Sequence, residues 1–352
     1  MTPPPLPAGH DASHQYSRLL KLRWVLLAAF VVIILLSLVA DFMLGPSGLG
    51  WSELVRTIFS PAQAEPTTTV IVWDVRLPYA VMAVVVGLGL GLAGAEMQTI
   101  LANPRASPFT LGISSAAAFG ASLALVLDLS LPWLPADWAV AGNAFVFAIL
   151  SALLLDVLAR WGGMSGSGMV LVGIALVFTF NALVSLMQFI ASAEDLQNLV
   201  FWTMGSLSRA TWPKVGGMLL AFAVILPLCL KDAWKLTALR LGEDRAISFG
   251  IDVKRQRLVS LLRISFLAAL AVSMVGTISF IGLIAPLIAR RLFGEDHRFY
   301  LPGSAFIGAM ILSLASIASK NIVEGVIVPV GIVTSLVGVP FFVSVVMRRR
   351  AG

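Results

Sequence analysis

Nine long stretches of this chain contain no Asp, Glu, Lys or Arg: Trp24 to Ala40, Leu77 to Ala95, Ala106 to Leu127, Trp138 to Leu155, Trp161 to Ala193, Val215 to Leu230, Ile264 to Ala289, Phe299 to Ser319 and Gly325 to Met347. A bilayer core about 30 Å thick needs roughly 20 apolar residues per helix. Only helices and closed barrels satisfy every backbone polar group in lipid, and stretches of this length predict helices. The composition agrees, with 59% apolar and 12% charged residues over 352 positions, where a soluble domain carries about 25% charged. A water-soluble fold, a disordered chain and a disulfide scaffold are excluded. The fold class expected is an all-α membrane protein.

The run Ile264 to Ala289 is too long for one untilted helix and short for two, and Gly276 offers a break in its middle. Basic residues decide the count, because cytoplasmic loops collect Lys and Arg. Ten spans with the N-terminus inside put 19 of the 24 Lys and Arg residues on the cytoplasmic side, whereas nine spans put 14 there. Ten transmembrane helices with both termini cytoplasmic is therefore the expectation. The formal charge of +6 reports this topology and calls for no nucleic acid partner. Residues 1–23 read as a Pro-rich cytoplasmic tail, and 24–350 as the membrane domain. His10 and His14 stand four apart in that tail, but neighbouring Pro and Gly argue against a helix to present them, and two ligands do not make a metal site. Cys229, alone of its kind, has a packing role.

Two hydrophilic segments fall on opposite sides. Ser192 to Lys214 lies outside, and Trp202 and Trp212 suit an interfacial helix there. Lys231 to Arg257 lies inside, with Leu239, Leu241, Ile247, Phe249 and Ile251 between the charges and Gly242 and Gly250 as breakers. That pattern predicts two short amphipathic helices joined by a turn. A solvated loop on lipid headgroups and a docking surface for a cytoplasmic partner both satisfy it. Gly87, Gly89, Gly91 and Gly94 mark a face for close helix packing.

Ionisable residues at membrane depth are scarce. Glu96, Asp156, Arg263 and Lys320 stand near span ends, where they could snorkel. No acidic or histidine relay crosses the middle, which disfavours an ion-coupled carrier. The chain holds no GxxxxGK[ST] loop, HExxH or GxSxG motif, so catalysis is not expected, and the energy for transport has to come from a partner.

A series of strings runs in order from Arg76 to the C-terminus. They are RLP (Arg76–Pro78), LAGAEMQTILANP (Leu92–Pro104), SPFTLGISSAAAFGA (Ser107–Ala121), WTMGSLSRATW (Trp202–Trp212), LGEDRAISFGIDV (Leu241–Val253), GTISFIGLIAPLIAR (Gly276–Arg290), DHRFYLPGSAFIGA (Asp296–Ala309) and PVGIVTSLVGVPFF (Pro329–Phe342). In these the chain resembles the permease subunits of ABC importers for iron-siderophores, haem and cobalamin. The resemblance implies the type II importer bundle of ten helices per subunit, paired with a second copy of itself or a paralogue. It implies two ATP-binding cassette subunits holding ATP and Mg, with no cofactor in this chain, and a periplasmic substrate-binding protein at an inner membrane.

By resemblance, residues 238–253 form the ATPase coupling loop, with Leu241, Gly242, Glu243, Asp244, Arg245, Ala246 and Gly250 at its heart. Arg76 and Lys320 take the binding-protein docking role; a snorkelling anchor is the alternative for each. Asn103, Pro104, Ser165 and Ser167 take the cytoplasmic gate, although an Asn-Pro turn that merely ends a helix explains the first two equally well. Departures from the family pattern are Tyr79 for an Arg, Arg105 after Asn-Pro, Leu287 for a His, Ser316 for an Asp, and Glu96 where a small or apolar residue is usual.

Overall fold

The computed structural model describes residues 9–45, 49–132, 134–164, 166–323 and 325–348. Among these, the regular structure is entirely helical. The helices are α1 (Gly9–Met43), α2 (Trp51–Phe59), α3 (Pro66–Val70), α4 (Leu77–Ile100), α5 (Ile113–Val126), α6 (Ala136–Trp161), α7 (Gly166–Ile190), α8 (Ala193–Thr203), α9 (Trp212–Lys231), α10 (Ala233–Leu239), α11 (Glu243–Ser248), α12 (Val253–Val275), α13 (Ile281–Phe293), α14 (His297–Asn321) and α15 (Val330–Arg348). One π-helical turn, Ile71–Arg76, joins α3 to α4 without a break.

Seven of these runs are long and apolar enough to cross a membrane. The remaining three expected spans fall on α5, α13 and α15, and α5 and α13 have only 14 and 13 residues. At 1.5 Å per residue, 14 residues reach about 21 Å, short of the hydrocarbon thickness. The division at Gly276 is observed. Its φ is +79°, α12 ends one residue earlier, and a Cβ there would meet the Trp202 carbonyl oxygen at 2.3 Å, which only glycine tolerates.

α4 forms the core of the bundle. Its glycine face lies backbone to backbone on α14 and α13, such that a Cβ on Gly91 would sit 2.3 Å from the Ser304 carbonyl oxygen and one on Gly94 would sit 1.9 Å from that of Gly282. Small residues permit this approach where lipid provides no hydrophobic drive. α7 lies at the rim, with Leu171, Phe178 and Phe189 exposed for lipid to cover.

Two expectations change. The first helix starts at Gly9 and runs unbroken past residue 23, because the tail from Gly9 to Arg23 has no proline and continues the α1 register. His10 and His14 therefore stand in a helix, although the described residues contain no group of three metal-ligating side chains. Trp202 is no interfacial anchor. α8 turns it inward, where it is buried, while the Trp212 indole donates to the Trp73 carbonyl at 2.8 Å.

Candidate functional site

The α10–α11 end of the bundle gathers most of the sequence-marked residues. α9 ends at Lys231, and α10 and α11 follow as the two short helices expected there, with Gly242 and Gly250 at φ +111° and +78° shaping the turns. Ala246 is buried beneath α11, while Leu241, Asp244, Arg245, Ile247 and Phe249 are exposed. Glu243 is committed within the chain, accepting from Arg257 Nη2 of α12.

The same Arg257 donates through Nε to the Ile100 carbonyl at 3.2 Å, and Ile100 is the last residue of α4. Here α4 unwinds. Ala102 takes φ +46°, and the Asn103 side chain accepts the Arg105 amide at 2.9 Å, closing a turn ahead of Ser107. Pro104 cannot extend the helix. The start of α7 meets this turn, since a Cβ on Gly166 would lie 2.8 Å from the Leu101 carbonyl oxygen. The two segments expected to form a gate are thus in contact. Ser167 lies in the first turn of α7, and Ser165 is outside the described residues.

A second set of bonds surrounds His297, which opens α14. Its Nε2 lies 2.8 Å from Thr99 Oγ1 on α4, and its Nδ1 lies 3.1 Å from Thr237 Oγ1 on α10. Beside it, Glu295 receives Arg240 Nε and Nη2 at 3.0 and 3.1 Å and stands 3.3 Å from Arg290. Burial raises the Glu295 carboxyl, but Arg240 and Arg290 outweigh that and hold it below the usual range.

Deeper in the bundle, Glu96 is 1% exposed and does not snorkel. It pairs with Arg263 of α12 at 2.5 Å and also accepts from Ser260 at 2.6 Å and the Cys229 thiol at 3.1 Å. Arg263 reaches on to Asp232, 2.9 Å away at the α9–α10 corner. Burial raises the Asp232 carboxyl, yet Lys235 and Arg263 together bring it below the ordinary value. One continuous polar path thus runs from α4 through α12 to the base of α10.

The FecCD transport family pattern matches residues 29–348. The chain belongs to that family. It is 36% identical over 321 residues to the hemin transport system permease protein HmuU of Yersinia pestis, covering 90% of this chain and 95% of that one. It is 34% identical over 290 residues to the iron(3+)-hydroxamate import system permease protein FhuG of Bacillus subtilis, covering 80% and 84%. The vitamin B12 import system permease protein BtuC of Vibrio vulnificus is 37% identical over 278 residues, with 79% and 82% covered. Among solved structures, an inward-facing conformation of a transporter of the metal-chelate ABC type superposes with a TM-score of 0.80 at 28% identity, over 92% of this chain and 99% of that one. This FecCD chain is accordingly a multi-pass transport permease.

At the opposite end of the permease, Arg76 and Lys320 are both buried and both engaged. The Arg76 guanidinium donates to the carbonyls of Phe42, Met43 and Gly45 at 3.2, 3.2 and 3.3 Å, capping the end of α1. Lys320 pairs with Asp41 of α1 at 3.0 Å, donates to its carbonyl at 2.8 Å, and lies 4.3 Å from the Tyr79 ring centroid. Both cations are thus engaged by groups of this chain. Sequence position alone could not separate a buried cation at a helix end from an exposed one.

Two departures from the family pattern find a use in this cluster. Ser316, where the family usually has Asp, donates to both Asp41 carboxylate oxygens at 2.9 Å. The carboxylate facing Lys320 is thus supplied by α1. Tyr79, in place of an Arg, closes the cluster through a 3.1 Å hydrogen bond with Ser319. Asp41, Asp232, Arg257 and His297 had no assigned role from sequence. Only Asp41 carried a local signal, as an acid one residue past a charge-free run.

Proposed function

We propose that this permease is the membrane-spanning subunit of an ATP-driven importer that receives an iron-siderophore-type chelate from a periplasmic binding protein and passes it across the inner membrane. Haem and cobalamin, carried by relatives of the same family, are the alternatives. In this reading α5, α13 and α15 complete ten crossings beside the seven long helices, and both termini are cytoplasmic. A second copy or a paralogue forms the other half of the path. ATP and Mg sit on two partner ATPase subunits, and this chain needs no cofactor.

The observation that carries the reading is the exposed tip of α10 and α11. Leu241, Ile247 and Phe249 lie bare there beside Asp244 and Arg245. Beneath them, Ala246 is buried and Glu243 is tied through Arg257 to the end of α4. An apolar tip ringed by charge fits a groove on a soluble partner. A push on it reaches the turn at Asn103 and Pro104 through direct bonds. A gradient-driven carrier would need a proton-accepting acid in the bundle, and the buried Glu96 and Asp41 are each locked to a cation.

The test is reconstitution in liposomes with the neighbouring ATPase and binding protein, following uptake of a ferric siderophore, haem and cobalamin in parallel. ATP-dependent uptake of the ferric siderophore is expected. Charge reversal at Asp244 or Arg245 should abolish ATPase co-purification. Uptake that persists without ATP and collapses with an uncoupler would overturn the proposal.

A further inference from the structure

In an importer of this kind, a displacement of the short helices has to reach α4. We infer that His297 is a positioning residue that transmits movement of α10 to the end of α4; this rests on the importer reading and adds a named link to it. The imidazole is fully buried, and one ring joins three helices. Nδ1 lies 3.1 Å from Thr237 Oγ1 of α10 and 3.0 Å from the Glu295 carbonyl, while Nε2 lies 2.8 Å from Thr99 Oγ1 of α4. The His297 amide also donates to Thr237 Oγ1 at 3.2 Å. The ring is edge-on to Tyr300 at 5.2 Å between centroids.

The bonding favours one tautomer. A carbonyl oxygen can only accept, and the 3.0 Å contact with the Glu295 carbonyl favours the proton on Nδ1. Nε2 is then a bare acceptor, and the Thr99 hydroxyl must give it its single proton. That hydroxyl also lies 2.9 Å from the Ala95 carbonyl, so Thr99 has two acceptors for one hydrogen. Movement of α10 that carries the ring away hands the Thr99 hydrogen back to Ala95 and frees the last turn of α4. The Arg257 bridge from Glu243 of α11 reaches Ile100, the very next residue. Two short helices thus hold consecutive residues immediately before α4 unwinds at Ala102.

The experiment uses the permease with its ATPase and binding protein in proteoliposomes, and it reads substrate accumulated per ATP hydrolysed. Thr99→Val, Thr237→Val and the double variant are compared with Thr99→Ser. Valine keeps the shape of threonine and serine keeps the hydroxyl, and detergent unfolding of each variant checks that it folds before its coupling is read. Each Val variant is expected to lower transport per ATP about tenfold while hydrolysis stays near wild type, the scale of an ordinary coupling between sites. The double variant should be no worse than either single one, because both cut the same link, and Thr99→Ser should couple normally. Independent losses that multiply in the double variant, a Thr99→Ser as impaired as Thr99→Val, or hydrolysis falling in step with transport would each overturn the inference. Wild-type vesicles that fail to accumulate substrate with ATP would instead overturn the importer reading.

Discussion

Removing Arg263 offers the sharpest test of how the bundle is held at the α10–α11 end. In Arg263→Met, the Glu96 carboxylate keeps only Ser260 and Cys229 as donors, both neutral, at a site with 1% exposure. Asp232 fares better, retaining Lys235 at 2.8 Å. The loss is therefore concentrated on one stranded buried charge, for which breaking a pair costs about 3–5 kcal/mol. The reverse deletion should be milder. In Glu96→Gln, Arg263 keeps Asp232 and the Leu228 carbonyl, both at 2.9 Å, and the cost falls to about 1–3 kcal/mol for a disrupted buried hydrogen-bond set.

The paired change Glu96→Met with Arg263→Met removes both charges and puts apolar volume in their place, and a buried pair exchanged in this way is often neutral. The assay is unfolding of the purified permease by titrating denaturing detergent into mild micelles, with helix content as the signal. The expected order of stability is wild type close to the double Met variant, then Glu96→Gln, then Arg263→Met. A loss below about 1 kcal/mol for Arg263→Met would refute the stranded-charge argument, since even a surface pair reaches that value. A double variant as unstable as Arg263→Met would refute it equally.

At the opposite end, Lys320→Met strands Asp41 with Ser316 as its side-chain donor, and the same unfolding assay should register a loss of about 3–5 kcal/mol. The association rate of the binding protein should then keep its wild-type salt dependence, because the ammonium is buried; a changed salt slope would assign Lys320 the docking role. Gly94→Ala forces a methyl to within 1.9 Å of the Gly282 carbonyl oxygen, and the α4–α13 contact must open at a cost of about 1–3 kcal/mol; unaltered unfolding would show that α13 shifts freely. Glu295 links the start of α14 to Arg240 beyond α10, and its depressed carboxyl contributes stability that is complete above its ordinary value of 4.5 and is lost as pH falls through the lower folded value. Amide exchange in α10 should rise on acidification across that window, modestly because the side chain is part exposed, and Glu295→Gln should show the faster exchange already at neutral pH.

The order of elements was legible because the forces that set it act locally. Charge-free runs, the basic-residue asymmetry and glycines at Gly242, Gly250 and Gly276 are each readable within a few residues, and the structure places breaks at all three. What stayed hidden was partnership across helices. Glu96 and Lys320 read as residues that could reach headgroups, since either stands near a span end. In the fold each meets a counter-ion from a helix distant in sequence, Arg263 and Asp41.

The Asp41–Lys320 pair states the physical rule behind this. A buried ammonium needs a carboxylate within reach but is indifferent to which helix supplies it, and α1 runs alongside α14 from the Trp24–Phe299 ring contact at one end to the Asp41–Lys320 pair at the other. A carboxylate on either helix can therefore serve Lys320, and a motif read along one helix does not show which helix supplies it. On this argument, Ser316→Asp combined with Asp41→Asn should restore the pair and wild-type stability. Ser316→Asp alone, with Asp41 intact, would place two carboxylates on one lysine and should destabilise the permease. Equal stability of these two variants would mean that a second carboxylate at Lys320 costs nothing, and the argument from charge would fail.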